Sequence, residues 1–182
     1  MRREPLLELP RDVAAGISLL VLDVDGVLTN AQLFLGHEGE EIKAFSVRDG
    51  VGIKFAQHAG IEIAFLSARS SAIVEARGRM LGVEEIHQGI HKKLATVKAL
   101  ARARGIGLVG VAYVGDDLVD IEAVSAVGLG VAVGDAVEEL KRASAYVTTA
   151  RGGFGAVRET VEAILKARGD WEDVVREYIA TA

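Results

Sequence analysis

The stretch Ser18-Leu19-Leu20-Val21-Leu22-Asp23-Val24-Asp25-Gly26-Val27-Leu28-Thr29 joins an apolar run of strand length to two acids and a glycine. The aliphatic residues follow one another without polar alternation, as in a strand covered on both faces of a parallel sheet. Similar runs recur at 61–66 (IEIAFL), 109–114 (VGVAYV), 128–133 (GLGVAV) and 145–148 (AYVT). Between them, residues 50–59, 70–81, 91–104, 117–126, 136–143 and 155–167 have helical spacing. Strands alternating with helices through right-handed crossovers predict an α/β fold, a doubly wound parallel sheet. Functional groups are then expected at the carboxyl ends of the strands. One segment breaks the rhythm. Residues 31–36 (AQLFLG) and 40–45 (EEIKAF) flank His37-Glu38-Gly39 and predict a β-hairpin inserted after the first strand.

A chain of 182 residues, half of them hydrophobic, is expected to form one domain spanning 1–182, with the hairpin inserted at 31–45. The segment 169–182 (GDWEDVVREYIATA) is expected to be a short terminal helix or tail, and the first 17 residues carry no assigned role. A net charge of -5 argues against a nucleic-acid partner. An anionic substrate would need a local cluster of Arg and Lys. The absence of cysteine excludes disulfides, thiolate metal sites and cysteine nucleophiles. The opening MRREPLLELPRDVAAG lacks the apolar core of a signal peptide, and no run approaches the ~18 apolar residues of a membrane span. A soluble, cytoplasmic protein without a membrane partner is expected.

Asp23 and Asp25, two apart on an extended chain, point the same way, and Gly26 allows a sharp turn after them. Alone, the pair could equally be a solvated turn. The run Phe65-Leu66-Ser67-Ala68-Arg69 puts a hydroxyl and a guanidinium at a second strand end, where Ser67 could instead cap the next helix. Lys93, near a helix start, opposes the helix dipole and suggests a nearby anion, although a solvated lysine is the commoner case. Tyr113-Val114-Gly115-Asp116-Asp117-Leu118-Val119-Asp120 gathers three acids at a third strand end. Acids favour a helix's first turn, but an adjacent pair at a buried strand end calls for a cation. Hard oxygen donors suit Mg²⁺.

Taken in order, DVDGVLT, Ser67, Lys93 and GDDLVD resemble the haloacid dehalogenase superfamily of phosphatases. That resemblance implies its Rossmann-like fold. Further residues are similar to those of a capless subgroup, the 3-deoxy-D-manno-octulosonate 8-phosphate phosphatases of lipopolysaccharide precursor synthesis. These are Phe45 to Gly50, Lys54, Arg69, Arg77, Gln88-Gly89 and the run Arg151 to Glu159. The resemblance runs from about residue 18 to 167.

It implies Asp23 as nucleophile through an aspartyl-phosphate, and Asp25 as the acid and base that serves the leaving oxygen and the water. Mg²⁺ would be held by the carboxylates of Asp23 and Asp116 and the backbone carbonyl of Asp25. Ser67 and Lys93 would hold the phosphoryl group, with Asp117 and Asp120 orienting Lys93 or a metal-bound water. The sugar would meet Asp25, Ser46, Val47, Arg48, Asp49, Gly50, Lys54, Arg69, Arg77 and Lys93. Ser46 and Lys54 stand where the family commonly has Asn and Arg, and Lys lacks the bidentate fork of Arg. The alternatives are a nine-carbon keto-sugar acid 9-phosphate, a broader sugar-phosphate range, or a non-catalytic domain like those fused to cytidylyltransferases. The VRDG run and Arg69 favour the eight-carbon acid, and the intact motifs favour catalysis.

The gaps 26–66 and 68–92 leave no room for a cap domain, and the hairpin carries Leu33, Phe34, Leu35, Ile42 and Phe45. A ribbon this apolar is expected to pack against other copies in a homo-oligomer, by resemblance a tetramer, whose neighbour completes the site. The alternative is a hairpin folded back on its own core.

Overall fold

The computed structural model describes residues 8–181. A short helix α1 (Arg11–Gly16) leads into β1 (Leu19–Leu22), and the chain then leaves the sheet for a ribbon of β2 (Phe34–Leu35) and β3 (Glu41–Ile42). It returns through α2 (Val47–His58), β4 (Glu62–Leu66), α3 (Ala72–Met80), β5 (Glu85–His87) and α4 (Lys93–Ala103). The second half runs β6 (Val111–Gly115), α5 (Ile121–Ala126), β7 (Leu129–Ala132), α6 (Glu138–Ala143), β8 (Tyr146–Val147), α7 (Ala156–Arg168) and α8 (Trp171–Thr181). The main sheet is parallel throughout, in the order β5-β4-β1-β6-β7-β8.

All four residues of β1 are buried, because helices cover both faces of the sheet and neighbouring strands flank its edges. Leu19 pairs with Glu62 and Val111, and Leu22 with Phe65 and Val114. That register sets the ends of β4, β1 and β6 side by side, with Ser67, Asp23 and Asp116 just beyond them.

Some boundaries differ from the sequence reading. Helix α2 starts at Val47 rather than residue 50, because the Ser46 hydroxyl accepts from the Asp49 amide at 3.2 Å and caps it. Gly50 thus lies inside a helix, where a Cβ would stand 2.6 Å from Arg77 Nη2. The ribbon pairs only Phe34 with Ile42 and Leu35 with Glu41, less than the predicted arms, and Ala31 at φ 61° interrupts its first arm. Helix α1 was not expected from the sequence. It is too short for a periodic signal and is held by packing on α7, with Ala14 buried.

The C-terminal segment is helical. Trp171 and Tyr178 meet the Phe55 ring edge-on at 5.5 and 4.8 Å, and the Arg158 guanidinium lies 4.5 Å from the same ring. Each aromatic pair adds about 0.5–1.5 kcal/mol beyond area burial, enough to dock a helix this short. Asp49 ties α2 to the start of α7, its two carboxylate oxygens accepting from the amides of Gly155 (3.1 Å) and Arg158 (2.8 Å).

Candidate active site

Beyond β1 the chain turns back on itself. The amides of Leu28 and Thr29 bond to the Val24 carbonyl, and the buried Thr29 hydroxyl lies 3.3 Å from the Gly26 amide. Gly26 has φ +93°, and a Cβ there would lie 2.0 Å from Asp116 Oδ2. The turn therefore needs glycine twice over, for its left-handed backbone and for the carboxylate packed against it. The loop 151–155 seals the other side. The Gly153 amide donates to the Val27 carbonyl at 2.9 Å, and a Cβ on Gly152 would fall 1.7 Å from the Gly26 oxygen.

Lys93, at the first turn of α4, is buried, with its ammonium 2.8 Å from Asp23 Oδ2 and 2.7 Å from Asp120 Oδ1. Asp120 is wholly enclosed. Its Oδ1 also accepts from the Tyr113 hydroxyl at 2.7 Å, and its Oδ2 accepts from the amides of Asp116 (3.1 Å) and Asp117 (3.3 Å). A carboxylate so fully used by protein donors serves to fix the lysine and the Asp116 loop.

The charges are out of balance. Burial and then the charge of Asp120 push the Asp23 carboxyl up to about 6, against the opposing pull of Lys93. Burial, then Asp23 and Asp120, push Asp116 up to about 8. Burial would lower Lys93, but Asp23 and Asp120 hold it above its ordinary value. One lysine does not neutralise three acids. Oxygens of Asp23, Asp116 and Asp120 lie within 4.8 Å of one another, a spacing suited to a small cation. Hard carboxylate donors with no thiolate fit a divalent ion such as Mg²⁺, whose charge would favour the ionised acids.

Ser67 is buried at the end of β4, where its hydroxyl accepts from the Arg69 amide at 3.1 Å. It is not a helix cap, since α3 begins only at Ala72. Asp25 is a quarter exposed, with Oδ1 paired to Lys43. Arg69 is about half exposed, its guanidinium 3.7 Å from Glu41 Oε1. Arg77 donates to the Ser46 carbonyl at 3.3 Å and lies over Phe45, while Val47 and Arg48 are exposed at the start of α2.

Four expected assignments change. Both oxygens of Asp49 are taken by amides of the loop before α7 and of α7 itself, and Gly50 is buried against Arg77, so neither presents a free side-chain group to a sugar. Lys54 lies two turns along α2, where its ammonium donates to the Leu81 carbonyl at 2.6 Å at the end of α3. Asp117 is exposed and caps the turn 118–120 by accepting from the Leu118 amide at 2.7 Å, so orienting Lys93 falls to Asp120 alone. Two participants were not singled out from the sequence, Tyr113 and Lys43. A tyrosine inside an apolar strand and a lysine in a ribbon arm both carry ordinary structural readings, and only the fold brings them to Asp120 and Asp25.

Comparison with known proteins agrees with this geometry. The family of haloacid dehalogenase-like hydrolases matches residues 80–157. The 3-deoxy-D-manno-octulosonate 8-phosphate phosphatase KdsC of Escherichia coli K12 is 44% identical over 166 residues, 91% of this chain and 88% of that protein. The chain belongs to this phosphatase family. As such it is a phosphoric monoester hydrolase. Among solved structures, the Moraxella catarrhalis phosphatase in complex with magnesium, phosphate and KDO superposes with a TM-score of 0.90 at 40% identity, covering 92% of this chain and 97% of that one. The cobalt-bound Haemophilus influenzae phosphatase gives 0.84 at 40% identity over 87% and 93%. No helix among the described residues is long and apolar enough to cross a membrane.

Proposed function

We propose that this chain hydrolyses 3-deoxy-D-manno-octulosonate 8-phosphate to the free sugar acid and phosphate, using Mg²⁺. The observation that carries this reading is the buried Lys93 between Asp23 and Asp120 at the strand ends, in a chain 44% identical to a phosphatase of that name. In this reading the carboxylates of Asp23 and Asp116 and the main-chain carbonyl of Asp25 hold the ion. When bound, the ion neutralises phosphoryl charge that would repel a carboxylate nucleophile. Asp23 attacks phosphorus, and the bond from phosphorus to the sugar oxygen breaks as Asp25 gives that oxygen its proton. The phosphoryl group then rests on Asp23. Water attacks the phosphorus, Asp25 takes the water's proton, and Asp23 is freed as phosphate leaves.

The Ser67 hydroxyl and Lys93 ammonium are assigned to the phosphoryl oxygens. Ser46, Val47, Arg48, Arg69 and Arg77 are assigned to the sugar acid, where an Arg fork suits the 2-keto acid's carboxylate. Exposed Phe34, Leu35 and Ile42 (54, 68 and 64% accessible) support assembly into a homo-oligomer, a tetramer, with a neighbour covering the site. A cytoplasmic enzyme of lipopolysaccharide precursor synthesis is the corresponding setting.

A phosphate-release screen tests the reading, using eight- and nine-carbon keto-sugar acid phosphates, simple sugar phosphates and an aryl phosphate. The expected outcome is the highest kcat/KM on the eight-carbon acid. A preference for the nine-carbon acid would replace the substrate, a flat profile would point to a broad phosphatase, and no release from any ester to a non-catalytic domain.

A further inference from the structure

Lys43 is the second buried lysine at this sheet end, and the mechanism above does not use it. Its side chain has no exposed surface, its ammonium is ion-paired with Asp25 Oδ1, and Glu41 Oε1 lies 3.6 Å away. Glu41 in turn accepts from the Ser71 hydroxyl and lies 3.7 Å from Arg69. A line of contacts thus runs from the loop before α3, across the ribbon, to the turn after β1. Asp25 Oδ2 is the one buried side-chain polar atom among the described residues without a hydrogen-bond partner.

A fully buried lysine is rare without a partner that requires it. Here the partner is Asp25, which has no ion pair with Lys93. The two oxygens of Asp25 differ: Oδ1 is anchored by Lys43, and Oδ2 is enclosed without a partner.

We propose that Lys43 is a positioning residue for the reaction, locking the Asp25 carboxyl through Oδ1 in one orientation beside the leaving oxygen. Glu41 holds Lys43 in place from the ribbon. This rests on the reading of Asp25 as the acid. The proton passes from the Asp25 carboxyl to the ester oxygen as that oxygen's bond to phosphorus breaks, and the attacking water later returns a proton to the carboxylate.

The ribbon then does more than offer an apolar face. It brings a cation to the acid, as α4 brings Lys93 to the nucleophile. A salt bridge that merely pinned the ribbon would affect all substrates alike. A positioning role would be felt most where the leaving group needs a proton.

The test is kcat/KM with Mg²⁺ over phosphate monoesters graded from p-nitrophenyl, whose leaving group departs without a proton, to primary alkyl. Asp25→Asn sets the reference, with a steepened dependence and the largest loss on alkyl esters. Lys43→Met should steepen it in the same sense, by on the order of 10²-fold on alkyl esters and only a few-fold on p-nitrophenyl phosphate. Glu41→Gln should give a smaller loss of the same pattern. A uniform loss across the series in Lys43→Met, beside a steepened Asp25→Asn, would overturn the proposal and leave Asp25 as the acid. An unchanged dependence in Asp25→Asn would overturn both. If circular dichroism shows Lys43→Met unfolded, Glu41→Gln decides, and a uniform loss or none overturns the proposal.

Discussion

The acids beyond β1 and β6 and the ribbon of β2 and β3 meet through Lys43 and Asp25, yet they are built on different terms. The acids hang from two neighbouring parallel strands with fixed register, and every oxygen of Asp120 has a protein donor. The ribbon has two paired residues on each side and leaves Phe34, Leu35 and Ile42 in the open. An isolated two-stranded ribbon is marginally stable in water. The phosphoryl chemistry therefore rests on a part of the molecule that a single chain can hold rigid. The ribbon that brings Lys43 to Asp25 is a part that assembly would steady.

The largest expected effect that sharpens this contrast is at Asp23. Asp23→Asn should abolish turnover, because an amide cannot form the acyl phosphate. The fold should survive, since Asn keeps an acceptor for the Val24 amide and Lys93 keeps Asp120. Normal activity in a well-folded Asp23→Asn protein would refute the nucleophile.

Metal removal comes next. Chelation should stop turnover and Mg²⁺ should restore it. In the metal-free protein, burial and the charge of Asp120 raise Asp23 from 3.8 to about 6, and burial with Asp23 and Asp120 raises Asp116 from 3.8 to about 8. Their protonated forms therefore favour the fold below pH ~4, and that contribution fades as pH rises through both values. A bound cation replaces those protons. The Tm gain on adding Mg²⁺ should thus grow from about pH 5 to about pH 9, and Asp116→Asn should shrink the trend. A pH-independent gain would separate the cation from these carboxylates.

Arg69→Ala should act on the other region. It should weaken catalysis on the keto-sugar phosphate by about 1.5–3 kcal/mol and hardly touch an aryl phosphate. Equal losses on both substrates would place Arg69 with the phosphoryl group or the fold.

The smallest effect on the single chain is expected from Leu35→Lys. With the side chain already largely exposed, Tm of the isolated subunit should barely move, whereas light scattering should show a smaller assembly. A wild-type monomer at micromolar concentration with full activity would show that the ribbon needs no partner.

The cluster was legible because its parts sit at strand ends, where an apolar run stops and acids begin. SLLVLDVDG and VAYVGDD announce both the strands and the carboxylates they present. The edge strand β5 and helix α1 were harder to read, being short elements held by neighbours rather than by their own pattern. The VRDG run carried the family pattern, but Asp49 within it takes a structural role. Its Asp49 is a cap for α7, more than a hundred residues away, and nothing local distinguishes such a cap from a ligand.

By itself, then, the sequence determined the parallel α/β class, the Asp23–Asp25 loop, the acids at 116–120 and Lys93, because each depends on a local pattern that the strand period makes visible. Only the tertiary structure decided that Asp120 rather than Asp117 holds Lys93, that Lys54 turns to the end of α3, and that Lys43 reaches Asp25. The physical reason is burial. A charged side chain is ordinary until the fold removes its water, and which partner then replaces that water is settled by segments that meet only in three dimensions.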